Sequence, residues 1–82
     1  VINSGAIVSH ECQLGRVVNL SPGATLGGRV KMGDYTQVGM RATINLDLAI
    51  GTRVRIGNGA TVKADVPDYG IVYAGTIYPP RL

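Results

Sequence analysis

The chain contains a single histidine, His10, followed at once by Glu11. Histidine ordinarily titrates close to neutral pH, so it can take up and return a proton there. Beside a carboxylate, His10 is a candidate general base for drawing a proton from a hydroxyl or an amine. The same residue also reads as a solvent-exposed histidine with no role, and spacing alone leaves both readings open. Other reactive groups are few. Cys12 is the lone cysteine, so no intrachain disulfide forms; this points to a reducing compartment, and we expect a cytoplasmic protein. A catalytic zinc of the three-histidine type needs more ligands than one histidine supplies, and no metal is expected. Eight Lys and Arg against five Asp and Glu give a formal charge of +3. The bases are scattered singly, with neither a basic run nor an aromatic platform, so no nucleic-acid partner is expected. A mild positive balance suits a polyanionic small ligand.

The elements that must position His10 come from a repeat. The chain has 82 residues, 45% of them apolar, with no Trp, no Phe and 12 Gly. A lone globule of this size buries little surface, and without large aromatics its core is thin. No stretch approaches the ~20 apolar residues of a membrane span. Every sixth residue from Ile2 is aliphatic or Met: Ile2, Val8, Leu14, Leu20, Leu26, Met32, Val38, Ile44, Ile50, Ile56 and Val62. With about a third of residues aliphatic in an ordinary chain, such a run by chance is on the order of one in 10⁵. Gly often follows, and a small or branched residue comes four places on, among them Ala6, Cys12, Val18, Ala24, Val30 and Thr36.

A period of six is neither the 3.6 of a helix nor the 2 of a lone strand. It is a short strand plus a corner, repeated, with the aliphatic and the small residue both pointing inward and Gly or Asn easing the corners. Three units close one triangular coil of eighteen residues, and coils stack by parallel pairing. The expected fold is all-β, a parallel β-helix of about four coils over 1–66, followed by a loop and irregular tail over 67–82, where Pro67, Gly70, Gly75, Pro79 and Pro80 interrupt.

Residues eighteen apart then lie one above another. His10 falls in line with Gly28, Leu46 and Ala64, and Glu11 with Arg29, Asp47 and Asp65. Gly28 would present a bare backbone N–H one coil from the imidazole, where it can hold a carbonyl oxygen as charge develops on it. Thr25, Thr43 and Thr61 form an outward ladder that β-propensity explains. Ile7, Val17, Tyr35, Met40 and Leu46 are outward and apolar, which marks contacts between copies. We expect a homotrimer of prisms packed side by side.

The uninterrupted repeat resembles the left-handed parallel β-helix of the hexapeptide-repeat acyltransferases. Within that group, Ile2-Asn3-Ser4-Gly5-Ala6-Ile7-Val8-Ser9-His10-Glu11-Cys12 resembles the active-site segment of the sialic-acid and bacillosamine acetyltransferases. Leu20-Ser21-Pro22-Gly23-Ala24, Gly27-Gly28 and Gly57-Asn58-Gly59-Ala60-Thr61-Val62 resemble the same family. The resemblance implies acetyl transfer from acetyl-CoA to a hydroxyl or amine of a sugar or similar small acceptor, with direct attack on the thioester. It implies His10 as general base, Glu11 as its orienting or polarising neighbour, and the Gly28 amide on the acetyl carbonyl. Met40 and Asn58 fall in the stretch that lines the cofactor groove, which lies between subunits in that family. Asn3 is assigned to the acceptor or cofactor. Asn19 stands near the acceptor, where many relatives carry a second histidine. Relatives also carry an N-terminal sugar-binding domain and further coils, so this chain is expected to be a fragment or a truncated relative. The alternative function is a catalytically degenerate β-helix serving as a trimeric structural module.

Overall fold

A computed structural model describes residues 1–80. Among them the chain forms twelve strands of two residues each and no helix. In order these are β1 Ile7–Val8, β2 Gln13–Leu14, β3 Asn19–Leu20, β4 Thr25–Leu26, β5 Lys31–Met32 and β6 Gln37–Val38. They continue as β7 Thr43–Ile44, β8 Ala49–Ile50, β9 Arg55–Ile56, β10 Thr61–Val62, β11 Ile71–Val72 and β12 Ile77–Tyr78. From β1 to β7 each strand pairs in parallel with the strand three further on, and β9 and β10 pair with β11 and β12, two further on, which makes three sheets around one axis. Sheet I is β1-β4-β7-β10-β12, sheet II is β2-β5-β8, and sheet III is β3-β6-β9-β11. The molecule is a parallel β-solenoid of about four turns, and the left-handed sense implied by the resemblance fits this winding. No helix of the described residues is long and apolar enough to cross a membrane.

The eighteen-residue coil holds in the register. Ile7 pairs with Thr25, Gln13 with Lys31 and Asn19 with Gln37. Thr25, Thr43 and Thr61 form one ladder. The second residue of each strand points inward, so Leu20, Leu26, Ile44 and Val62 are fully buried. Burying an aliphatic side chain of this size contributes about 1.5–3 kcal/mol. The corner slots complete the core, with Ala24, Ala42 and Ala60 on one edge and Val18, Val30 and Val54 on the others. When such a slot carries a polar atom, it meets a backbone carbonyl. Thr36 Oγ1 donates to Gly51 O at 2.8 Å and Cys12 Sγ donates to Gly27 O at 3.2 Å.

The repeat glycines have a different cause from the one expected. Gly15, Gly39 and Gly51 do not take a positive φ. They are glycine because the next coil leans on them: a Cβ on Gly15 would stand 2.8 Å from the Asp34 amide nitrogen, and one on Gly51 2.5 Å from that of Asp68. The left-handed positions lie two residues later. Glu11, Val17, Arg29, Tyr35, Arg41, Asp47, Arg53 and Tyr69 all have φ between 53° and 64°.

Rungs continue beyond Val66, where the sequence suggests a loop and irregular tail. β11 pairs with β9 and β12 with β10, but the coil has shortened to sixteen residues, with Arg55 opposite Ile71 and Thr61 opposite Ile77. The shortening falls between Val62 and Val66, because Ile50 is already bridged to Val66. Four residues there replace the six that join Ile44 to Ile50, so one corner is cut away. The final residues 81–82 of the expected tail lie outside the described residues.

Candidate functional site

Three corners join the sheets. The I/II corner carries His10 and Glu11, then Gly28 and Arg29, then Leu46 and Asp47. Backbone bonds hold these coils in register: the Arg29 amide donates to His10 O at 2.9 Å and the Asp47 amide to Gly28 O at 2.9 Å. The first three members of both expected columns are therefore stacked. The fourth members are not. Ala64 and Asp65 fall in the shortened corner, and Asp65 Oδ1 accepts the Ala49 amide at 2.8 Å instead.

His10 is exposed and Gly28 is buried, because the imidazole lies over the glycine. A Cβ on Gly28 would stand 2.7 Å from Cε1 and 2.8 Å from Nε2 of the ring. Glycine at 28 is thus what lets the imidazole lie flat against the next coil.

The Gly28 amide is not among the corner amides that a side chain serves. At the II/III corner, Asp34 Oδ1 accepts the Arg16 amide and Asp68 Oδ1 the Thr52 amide, each at 2.8 Å. At the III/I corner, Asn58 Oδ1 accepts the Met40 amide at 2.8 Å. The residue that would serve Gly28 in this ladder is Leu46, whose side chain has no acceptor. Among the described residues the Gly28 amide finds no protein acceptor. It is a donor next to the imidazole that the protein leaves without an acceptor.

Arg29 is the charged group the structure brings to His10. Its Nη1 lies 3.4 Å from His10 Nε2, while Nε and Nη2 grip both carboxylate oxygens of Asp47. A guanidinium only donates, so this contact calls for Nε2 as acceptor and the ring proton on Nδ1. The distance is long for a hydrogen bond. The Arg29 guanidinium is held above its ordinary range, first by its hydrogen bond to Asp47 and then by that carboxylate's charge. The Asp47 carboxyl is pushed below its ordinary range, first by the hydrogen bond from Arg29. Beside this corner runs a groove of about 360 Å³ lined by Arg29, Lys31, Asp47, Leu48, Ala49 and Asp65.

Glu11, at φ 58°, is exposed, and among the described residues it makes no hydrogen bond or ion pair with His10. The eighteen-residue spacing already aligned Arg29 and Asp47 with Glu11; what it did not reveal is that Arg29 leans one coil down onto the imidazole. The remaining sequence candidates are elsewhere. Met40 and Asn58 stand on the III/I corner. The Asn3 side chain donates to Leu20 O at 3.0 Å. Asn19 faces outward on sheet III, paired with Gln37. Within one chain, Gly28 is the expected cofactor-contacting residue that shares the corner of His10.

No protein-family model matches the chain, and no curated protein matches it. Among solved structures it is similar to the serine acetyltransferase of Neisseria gonorrhoeae in complex with serine, a hexapeptide-repeat acyltransferase. The TM-score is 0.56 at 25% sequence identity, over 74% of this chain and 36% of that chain. The match therefore spans about a third of that enzyme's length.

Proposed function

We propose that this chain is the β-solenoid part of an acetyl-CoA-dependent acetyltransferase acting on a hydroxyl or amine of a small acceptor, with a sugar as the favoured class. The observation that carries the reading is the His10 imidazole lying over Gly28, whose amide has no acceptor in the protein. The similarity to a serine acetyltransferase supports the acyltransferase class. The sugar acceptor rests on the His-Glu word and its resemblance to the sialic-acid and bacillosamine enzymes.

In this reading His10 Nε2 takes the proton of the acceptor hydroxyl or amine. The freed lone pair forms a bond to the acetyl carbonyl carbon, and the carbonyl oxygen gains charge against the Gly28 amide. Collapse breaks the carbon–sulfur bond, and the coenzyme thiolate recovers the proton from the imidazolium. No covalent acyl-enzyme is needed, because holding the thioester beside the base makes attack effectively unimolecular. Glu11 supplies negative charge near the imidazolium as it forms.

The assembly in this reading is a homotrimer. Ile7, Val17, Tyr35, Met40 and Leu46 are all exposed, Val17 by 60%. They stand on sheet I and on all three corners, which suits a ring in which each prism meets two neighbours. A neighbouring prism would also bring Met40, Asn58, Asn3 and Asn19 of one copy toward the His10 corner of another. The degenerate structural module draws on a different observation: the Asn3 and Asn58 side chains are committed to backbone groups.

Calorimetric titration of the chain with acetyl-CoA, alongside sedimentation, tests the reading. Saturable binding near one cofactor per chain in a trimer is the expected result. A trimer that takes up no cofactor at millimolar concentration overturns it in favour of the structural module.

A further inference from the structure

We infer that the outer face of sheet III, opposite the His10 corner, is a binding site for a small organic phosphate carrying a flat ring. The face is hollowed into a groove of about 400 Å³, within the range of about 300–1,000 Å³ of small-molecule sites. Its floor is the outward column Asn19, Gln37 and Arg55, paired rung to rung through β3, β6 and β9. Its wall is the II/III corner, where Tyr35, Arg53 and Tyr69 rise one coil at a time. The guanidinium carbon of Arg53 lies 4.6 Å from the centroid of the Tyr35 ring. Stacking of this kind fixes the guanidinium plane and leaves its N–H edges free for an anion.

Charge in the groove is unbalanced. Two guanidiniums and two carboxamides line it, and no carboxylate does. Asp34 and Asp68, on the same corner, each turn an oxygen to a backbone amide, and neither pairs with Arg53 or Arg55 among the described residues. The forked donors of arginine match phosphate oxygens. The Tyr69 ring, one coil beyond Arg53 and 68% exposed, offers a flat face beside that charge.

The backbone raises these side chains from the corner. All four left-handed positions of this corner carry side chains, Val17, Tyr35, Arg53 and Tyr69, at φ of 53°, 61°, 54° and 64°. At the III/I corner the same position is glycine four times, at Gly5, Gly23, Gly59 and Gly75, and Arg41 once; at the I/II corner it is Glu11, Arg29 and Asp47. A left-handed residue with a Cβ costs roughly 1–2 kcal/mol where glycine costs nothing sterically.

Calorimetry of the whole chain at low salt tests the site with three probes: phenyl phosphate, inorganic phosphate, and phenol. Phenyl phosphate should saturate one site per chain, inorganic phosphate should bind about ten-fold more weakly, and phenol should not bind. R53Q/R55Q should weaken phenyl phosphate at least ten-fold, and Tyr69→Ala should reduce it to the level of inorganic phosphate. Lys63→Gln, a cation outside the groove, should bind it unchanged. If the double variant loses the β signature in circular dichroism, Arg55→Gln alone, exposed on β9, should still weaken binding several-fold. Val17 and Tyr35 also belong to the apolar set read as a subunit contact, so the titration uses whatever assembly the protein forms. A groove closed by a neighbouring copy would take up no phenyl phosphate, and that result overturns the inference. So does binding that survives loss of the arginines.

Discussion

The α-carbon of Gly28 lies beneath the His10 imidazole, so near that an added methyl group would stand 2.7 Å from Cε1. The neighbouring glycine is constrained differently. A Cβ on Gly27 would stand 2.6 Å from the Leu46 amide nitrogen and 2.9 Å from its α-carbon. An exposed imidazole can swing away; a backbone locked in a parallel rung cannot. Gly28→Ala should therefore leave the melting temperature nearly unchanged and reduce acetyl transfer at least ten-fold. Gly27→Ala should destabilise the fold by roughly 1–3 kcal/mol, the usual cost of overpacking. Thermal melts and transfer assays of the two variants check this. Equal loss of stability in both would contradict the stacking argument.

His10→Ala should lower acetyl transfer by about 10²–10⁴-fold, the usual contribution of a general base. The side chain is exposed and packs on nothing but Gly28 and the Arg29 tip, so stability should change little. Steady-state kinetics with acetyl-CoA measure the first effect and denaturant unfolding the second. Turnover equal to the parent's would remove His10 from the mechanism.

Acid should act on the Arg29–Asp47 pair. The folded Asp47 carboxyl is more acidic than in the unfolded chain, first because Arg29 donates to it. The pair's contribution is therefore fully present above the ordinary carboxylate value of about 3.9. It is lost as pH falls through the lowered folded value. An NMR titration should place the Asp47 midpoint below ~3.9, and Asp47→Asn should flatten this part of the acid-side decline in stability. A midpoint at or above the ordinary value would show that the two groups do not pair in solution.

Asn58 should prove structural before it proves cofactor-binding. Its Oδ1 accepts the Met40 amide at 2.8 Å, so Asn58→Ala should cost about 0.5–1.5 kcal/mol. Asn58→Asp, which keeps the acceptor, should retain most of that stability. Acetyl-CoA affinity measured on both variants separates the roles. A large affinity loss in Asn58→Asp, with the fold intact, would place Nδ2 on the cofactor.

A six-residue aliphatic period and a parallel register repeat by whole residues, so the alignments of His10 with Gly28, of Arg29 with Asp47, and of the three threonines were legible in the chain itself. So was more than the unbroken count from Ile2 reveals. Val66, Val72 and Tyr78 keep the period of six after one slip of two residues, and they are the inward residues of the late rungs. Counting in a fixed register past Val62 hides them, and with them the shortened corner that displaces Ala64 and Asp65. Commitments of individual polar atoms were not legible. That Asn58 serves the Met40 amide, that the Gly28 amide serves nothing in the protein, and that Arg29 reaches the imidazole depend on how side chains settle between neighbouring coils. The glycines illustrate the division. Their recurrence is visible in the sequence, but its causes are two: steric clearance for the next coil at Gly15, Gly39 and Gly51, and a left-handed φ at Gly5, Gly23, Gly59 and Gly75. Periodicity determines which residues share a column, because each coil must bury the same stripe. Only the stacked structure decides which side chains in a column touch, because that depends on how adjacent corners lean on one another.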